Sequence, residues 1–217
     1  MKMEVKKIKE NQRLVLIGGG GHCKSVLDTA LRMNIFSEIV ITDAELSVGT
    51  EIMGCKVVGN DSILQELFEN GIRYAFIAVG SIKSTDIRHR LFVNAKSVGF
   101  EFPNIIDVSA VISESVQLGS GIYVGKKAVV NACTQIHDMA IINTAAVIEH
   151  ECTIGAFAHI AAGVTICGNA IVDEDSFVGA GTTIVQGIHI GENVVIGAGS
   201  VVLKGVKPDQ TVYGLIR

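Results

Sequence analysis

The sequence predicts two folds in succession, a small parallel α/β sheet over residues 1–108 and a parallel β-helix of hexapeptides over residues 109–217. Three observations carry this reading. Strand-like and helix-like patterns alternate in the first half. A glycine run, Gly18–Gly21, separates the first strand pattern from the first helix pattern. From Ile112 to Val202 an aliphatic residue falls on every sixth position without a miss. A period of six fits neither a helix nor a lone amphipathic strand, and it is the mark of a hexapeptide coil.

The first half reads element by element. Leu14–Ile17 is a short apolar strand, and Val26, Leu27, Ala30 and Leu31 fall at helical spacing after the glycines. Glu38–Thr42 is a second strand that ends at Asp43. Ser62–Asn70 is helical, with Gly71 as its C-cap. Tyr74–Val79 is a third strand, Thr85–Val98 a helix, and Phe102–Ile106 a fourth strand. This alternation predicts a Rossmann-like parallel sheet. A glycine turn leading into a helix lets backbone amides approach a phosphate, and a carboxylate about twenty residues on, here Asp43, can bond a nucleoside hydroxyl. The G-x-G-x-x-G pattern is incomplete, because Cys23 stands at its third glycine position. A tight turn without a ligand, a nicotinamide dinucleotide and a smaller nucleotide sugar all remain open. The shortness of the sheet favours the nucleotide sugar. Gly80 and Ser81, ending the third strand, are expected to face the same crevice.

The second half has its own grammar. Each hexad supplies one short strand with an inward aliphatic residue. Two places before it sits a small or β-branched residue, such as Ala128, Thr134, Ala146, Cys152, Ser176, Thr182 or Ser200. One place after it, Gly, Asn or Asp is frequent, as at Gly125, Asn131, Gly155, Asp173 and Gly179. These are expected to take the unusual backbone of the corner. Three hexads close one triangular coil, and sixteen give about five coils, roughly 25 Å tall. Ordering six residues costs more than one buried aliphatic side chain returns, so interior small residues, inter-coil hydrogen bonds and subunit packing are expected to contribute. Both prolines, Pro103 and Pro208, are expected to lie outside the prism.

Composition narrows the function classes. The 217 residues carry a net charge of −4 and no basic stripe, which argues against nucleic acid. The basic start, Met1–Glu10, reads as a solvated segment. Leu14–Ile17 is too short an apolar core for a signal peptide, and no stretch reaches the length of a membrane span. The five cysteines show no C-x-x-C spacing and suit a reducing, cytoplasmic setting. The absence of Trp suits a narrow prism interior.

Four of the six histidines, His137, His150, His159 and His189, lie in the prism. The inward positions belong to the aliphatic series, so His150 projects outward or sits at a corner, within Glu149-His150-Glu151. A carboxylate beside an imidazole fixes its tautomer and raises its basicity, as a general base requires. A charged surface corner is the competing reading of the same residues. His159 lies half a coil away, on another face of one subunit, and a three-fold assembly would bring one subunit's His150 near another's His159. A zinc site like that of γ-type carbonic anhydrases needs two histidines close in sequence and a third about two coils away. The spacings here, 13, 9 and 30 residues, do not match it, and no metal is expected.

Taken together, Leu14–Val26 (LVLIGGGGHCKSV), Asp43, Ala78–Ser81 (AVGS) and above all Asn143–Asn169 (NTAAVIEHECTIGAFAHIAAGVTICGN) resemble the NeuD/PglD family of bacterial sugar acetyltransferases. The resemblance covers nearly the whole chain. It implies a left-handed parallel β-helix, a homotrimer, acetyl-CoA held between adjacent prisms, and a nucleotide-linked sugar or sialic acid as substrate of the α/β domain. It also implies residue roles. His150 matches the general base and Glu151 its supporting carboxylate. His159 matches a contact to the thioester or pantetheine region, and Gly168 a backbone donor near the thioester oxygen. Ala180 and Ala198 lie where the coenzyme arm passes. Gly20, Gly21, His22, Asp43 and Gly80 match the nucleotide-sugar pocket. Ala44 stands where some relatives carry a second acid. The segment from Val212 to Arg217 departs from a Gly-x-Pro-Ala-Lys tail, so contacts to the ribose or base and to the coenzyme's adenosine end are expected to differ. Two further readings accompany direct acetyl transfer: an acyl-carrier-protein-dependent sugar acyltransferase, and a non-catalytic sugar-nucleotide-binding scaffold.

Overall fold

A computed structural model describes residues 12–82 and 84–217. The basic start Met1–Glu10 lies outside the described residues. The chain divides into two compact units, one of Met1–Val79 and His89–Pro103, the other of Gly80–Arg88 and Asn104–Arg217.

In the first unit β1 (Arg13–Ile17) leads through the glycine turn into α1 (Gly21–Met33) and then β2 (Glu38–Thr42). There follow β3 (Glu51–Ile52), β4 (Cys55–Gly59), a 3-10 turn at Asp61–Ile63, α2 (Leu64–Glu69) and β5 (Tyr74–Ile77). The helix α3 (Asp86–Val98) spans the division between the units. The strands order as β3-β4-β2-β1-β5, all parallel except β3, which pairs antiparallel with β4. β1 is central and fully buried, which is why it reads as a continuous apolar run. α1 buries Cys23, Val26, Leu27, Thr29 and Ala30 and ends at Asn34 in the left-handed region. Leu31, expected on the buried face, is exposed.

Two sequence expectations need correction here. The β3–β4 hairpin was not foreseen. Its turn is Met53-Gly54, both at positive φ (49° and 81°), the geometry of a tight two-residue hairpin. Phe102–Ile106 is not a fourth strand of this sheet. The strand there is Ile105–Ile106, and it pairs with Tyr123–Val124 as the first strand of the β-helix. Ile106 lies six residues before Ile112, so the hexad register begins one step earlier than the aliphatic series suggested.

The second unit is a left-handed parallel β-helix with three faces, of seven, five and seven two-residue strands. Strands 18 residues apart pair in register, as in Val129↔Val147↔Thr165↔Thr183↔Val201. The second residue of each strand points inward, and the columns through Ile148, Ile154 and Ile160 are fully buried. Interior hydroxyls satisfy corner carbonyls 15 residues on: Thr134 Oγ1 donates to the Glu149 carbonyl at 2.9 Å and Thr182 Oγ1 to that of Gly197 at 3.1 Å.

The corners correct the expectation about Gly, Asn and Asp. The left-handed residue is three places after the inward aliphatic, not one. It runs as Lys127, Cys133, Met139, Ala145, Glu151, Phe157, Gly163, Asn169 and Asp175, with φ between 56° and 66°. The glycines one place after the aliphatic serve another purpose, close approach of the next coil. A Cβ on Gly155 would lie 2.3 Å from the Glu174 nitrogen, and one on Gly179 2.5 Å from the Ala198 nitrogen. The prism also continues past Val202. Thr211–Val212 and Leu215–Ile216 pair with strands 16 and 14 residues earlier, so the last coil is shortened. Pro208, expected outside the prism, packs against Gly191 within that coil.

Candidate active site

The corner after the strand Val147–Ile148 is fixed from several sides. Glu149 N donates to the Ile166 carbonyl, Glu151 N to that of Ala132 and Asn169 N to that of His150, each at 2.9 Å. Asn131 Nδ2 donates to Glu149 Oε2 at 3.0 Å. Consecutive side chains on ordinary backbone diverge. Glu151, however, is the left-handed residue of this corner (φ 59°), and its carboxylate turns back beside its neighbour's ring. His150 Nδ1 and Glu151 Oε2 are 3.0 Å apart, both side chains being more than half exposed. With Nδ1–H donating to the carboxylate, Nε2 carries the lone pair. Gly168, one coil above, makes room for the ring: a Cβ there would fall 2.6 Å from His150 Cε1 and 2.7 Å from Nε2.

The ring borders a cleft of about 330 Å³ lined by His150, Gly168, Asn169, Gln186 and Gly187. Sequence reasoning missed Asn169, Gln186 and Gly187. Their signal was the 18-residue coil itself, since Asn169 is one coil and Gly187 two coils beyond Glu151, and Gln186 is two coils beyond His150. Ala180 and Ala198 stack one coil apart on a different corner. Both are exposed, and Gly199 N donates to the Ala180 carbonyl at 2.8 Å.

His159 is on another face. The strand preceding His150 and the strand His159–Ile160 belong to different seven-stranded sheets. The His159 ring is buried, edge-on to Phe177 at 5.1 Å, and its Nδ1–H donates to the Ser81 carbonyl at 2.8 Å. Burial lowers its pKa to about 4; the Ser81 bond opposes this and the nearby Arg88 charge adds to it. Arg88 is itself buried, and its guanidinium donates to the carbonyls of Phe157 (2.8 Å) and Met139. Burial brings its pKa down to about 10 against the pull of Asp175, so it stays charged at neutral pH. Neither Ser81 nor Arg88 was singled out as a partner of His159, since both lie some seventy residues away in sequence.

In the first unit the glycine turn and Asp43 come together. Asp43 Oδ2 accepts from Gly19 N at 2.6 Å, and Oδ1 accepts from Glu45 N and Leu46 N at 2.9 Å. Burial acts to raise the pKa of this carboxyl, but the three amides outweigh it and hold the pKa below the usual range. A Cβ on Gly19 would meet Leu46 Cδ1 at 2.6 Å, whereas one on Gly20 or Gly21 would meet nothing within 4 Å. Gly20 caps α1 without a side-chain bond, which leaves the first helical amides to a ligand of negative charge. His22 is half-buried in that first turn. Cys23, at the third glycine position, is a core thiol pushed up to about 12 by burial, with Asp43 and Cys55 adding to the effect. Gly80 falls in the second unit, ahead of Ser81. Among the described residues no three or more His, Cys, Asp or Glu side chains gather as a metal site.

Comparison with known proteins agrees with this arrangement. Residues 13–94 match the PglD N-terminal domain, residues 146–174 the hexapeptide repeat of succinyl-transferase, and residues 169–204 the bacterial transferase hexapeptide. A histidine-to-alanine mutant of GDP-perosamine N-acetyltransferase from Caulobacter crescentus, solved with CoA and GDP-perosamine, is 34% identical. It superposes with a TM-score of 0.87 over 93% of each chain. The acetyltransferase domain of PglB from Neisseria gonorrhoeae, solved with acetyl coenzyme A, is 34% identical with a TM-score of 0.87, over 94% of this chain and 97% of that one. WeeI from Acinetobacter baumannii shares the fold at 19% identity and a TM-score of 0.62, over 94% of this chain and 97% of that one. With its α/β unit, its hexapeptide prism and close relatives spanning its length, the chain belongs to the NeuD/PglD-like family of hexapeptide-repeat sugar acetyltransferases.

Proposed function

We propose that this chain transfers the acetyl group of acetyl-CoA to the amino group of a nucleotide-linked sugar, with His150 as general base. The observation that carries the reading is the His150 ring. Its Nδ1 is held by Glu151, it lies against Gly168, and it borders an open cleft. The acceptor nitrogen attacks the acetyl carbon and passes a proton to His150 Nε2; the carbon–sulfur bond breaks and CoA leaves as thiolate. Glu151 keeps the ring in the productive tautomer and stabilises the imidazolium that forms. A backbone amide at Gly168 is the candidate donor to the developing oxyanion. Gly20, Gly21, His22 and Asp43 are assigned to the nucleotide end of the acceptor in a domain of residues 1–108, with Gly80 as a further contact. His159, Ala180 and Ala198 are assigned to the coenzyme in a domain of residues 109–217. Asp43 acts chiefly by fastening the turn, since three backbone amides already occupy its carboxylate.

Two finer statements belong to the same proposal. The working unit is a homotrimer, supported by an apolar face that ends at the His150 corner. The setting is the cytoplasm, where free thiols persist; all five cysteines are free, and no described helix is long and apolar enough to cross a membrane.

The test is CoA release from acetyl-CoA against a panel of GDP- and UDP-amino sugars and sialic acids, with a sugar-free blank and His150→Ala alongside wild type. Sugar-dependent release that falls about 10²–10⁴-fold in His150→Ala is expected. A folded His150→Ala protein within fivefold of wild type would remove His150 from the role. Turnover only with acylated carrier protein would favour that donor, and binding of nucleotide sugar without turnover would favour a scaffold.

A further inference from the structure

The segment Gly80–Arg88 follows one edge of the prism, and its bonds fall on successive coils. Met139, Phe157 and Asp175 are left-handed corner residues spaced 18 apart, at φ 60°, 59° and 60°. Arg88 donates to the carbonyls of the first two, and Thr85 Oγ1 donates to Asp175 Oδ1 at 2.6 Å. Beyond Thr85 the segment reaches Ser81, which is itself buried, and the Ser81 carbonyl receives the Nδ1–H of His159. Arg88 is 2% exposed, its face lies 5.4 Å from the Phe157 ring, and its Nε has no hydrogen-bond partner. A buried cation held by two main-chain carbonyls is a costly choice if packing is its whole purpose, since an apolar side chain would fill the same volume.

We propose that Arg88 is a positioning residue that sets the tautomer of His159. By fastening the segment to two corners it holds the Ser81 carbonyl where only an Nδ1–H can meet it. A carbonyl accepts and never donates, so His159 is locked with its proton on Nδ1 and a lone pair on Nε2. Any group that approaches Nε2 must then bring a donor. Toward a coenzyme, His159 accepts from an amide N–H of the pantetheine arm and cannot donate to the thioester oxygen, which leaves oxyanion stabilisation to backbone amides. The coenzyme consequence rests on the assignment of His159 as a coenzyme contact; the tautomer does not.

The experiment is a long-range ¹H–¹⁵N correlation spectrum of the histidine-labelled full chain at neutral pH, with His159 assigned by its absence in His159→Asn. Wild type is expected to show pyrrole-type Nδ1 and pyridine-type Nε2 at His159. Arg88→Gln, in a protein shown to be folded by circular dichroism, is expected to give a mixture of both tautomers, and Arg88→Lys to restore part of the wild-type state. A single unchanged Nδ1–H tautomer in folded Arg88→Gln overturns the proposal. If Arg88→Gln does not fold, Thr85→Val loosens the same segment at Asp175 and is judged by the same spectrum: a mixture supports the proposal and an unchanged tautomer overturns it. Coenzyme affinity is read separately. The KM for acetyl-CoA should rise about tenfold with kcat little changed, the loss expected of one hydrogen bond. A tautomer shift with an unchanged KM would uphold the role of Arg88 and sink the assignment of His159 to the coenzyme.

Discussion

Gly168 has no side chain because His150 occupies the place where one would be. In Gly168→Ala the new methyl meets the imidazole at 2.6–2.7 Å, and the ring must swing toward solvent and away from Glu151. A fall in kcat of about 10²-fold is expected, in line with the cost of small misplacements. The melting temperature should barely change, because the ring is already more than half exposed. Steady-state kinetics beside a thermal melt would check it, and unchanged turnover would show that this ring position is not used. His159 yields a pH prediction. Its folded pKa is about 4 against an ordinary value near 6.5, so between these values the unfolded chain binds a proton that the folded chain refuses. Stability is therefore lost as pH falls from about 6.5 to about 4, by roughly 3 kcal/mol. His159→Asn, which cannot titrate and keeps an amide donor for Ser81, should flatten that part of the denaturation profile. His150 with its carboxylate, and Asp43 after the second strand, were legible in the sequence because their partners are near neighbours or follow a known spacing. The enclosure of His159 was not, because Ser81 and Arg88 meet it only after the chain has folded.

At the scale of the element, the hexad shows what periodicity can and cannot reveal. It located every inward column, because a single slip would move all later aliphatics off their faces. It did not reveal which corner residue is left-handed. Glycine abundance one place after the aliphatic was read as backbone freedom, but it answers the next coil's close approach. The true left-handed position accepts Lys127, Cys133, Met139, Glu151 and Phe157 despite the steric cost of their Cβ atoms. This cost can be recovered at the candidate site. Glu151→Gly removes a left-handed non-glycine residue and should raise stability by about 1 kcal/mol, while depriving His150 of its carboxylate and lowering kcat. Glu151→Ala loses the same carboxylate but keeps the strain, so it should lower kcat without the gain. Chemical denaturation of the two variants against wild type would decide the matter, and a destabilised Glu151→Gly would show that the His150–Glu151 bond outweighs the corner strain. The β3–β4 hairpin was missed for a related reason, since two-residue strands around one glycine are too short to show a period.

The three faces of the prism differ in what they turn outward. The five-stranded face presents Gln117, Gln135, Thr153, Ile171 and His189, a mostly polar row. One seven-stranded face turns out Ile105, Tyr123, Ile141 and His159, and these are already buried. The other presents Val111, Val129, Val147, Thr165, Thr183 and Val201, with no charge along the row, and Val111 and Val201 are 63% and 38% exposed. A continuous apolar strip of this kind on a folded chain marks an association surface. It ends, by way of Ile148 and Glu149, at the His150 corner, so whatever covers it also walls the cleft. Three copies packed by this face would bury it, supplement the small return of each hexad, and shape the groove into which Nε2 opens. Light scattering on the eluting wild-type protein should therefore give three times the 23.0 kDa of the chain. Val147→Lys would put a charge in the middle of the strip, at a position whose inward neighbour, Ile148, keeps the coil intact. It should shift the protein to a monomer with an unchanged far-ultraviolet dichroism spectrum. Because the cleft would lose its second wall, acetyl transfer should fall together with assembly, by about 10²-fold or more. A wild-type monomer with full turnover, or a Val147→Lys monomer that keeps it, would mean that the cleft is complete within one chain and that the apolar face serves another partner.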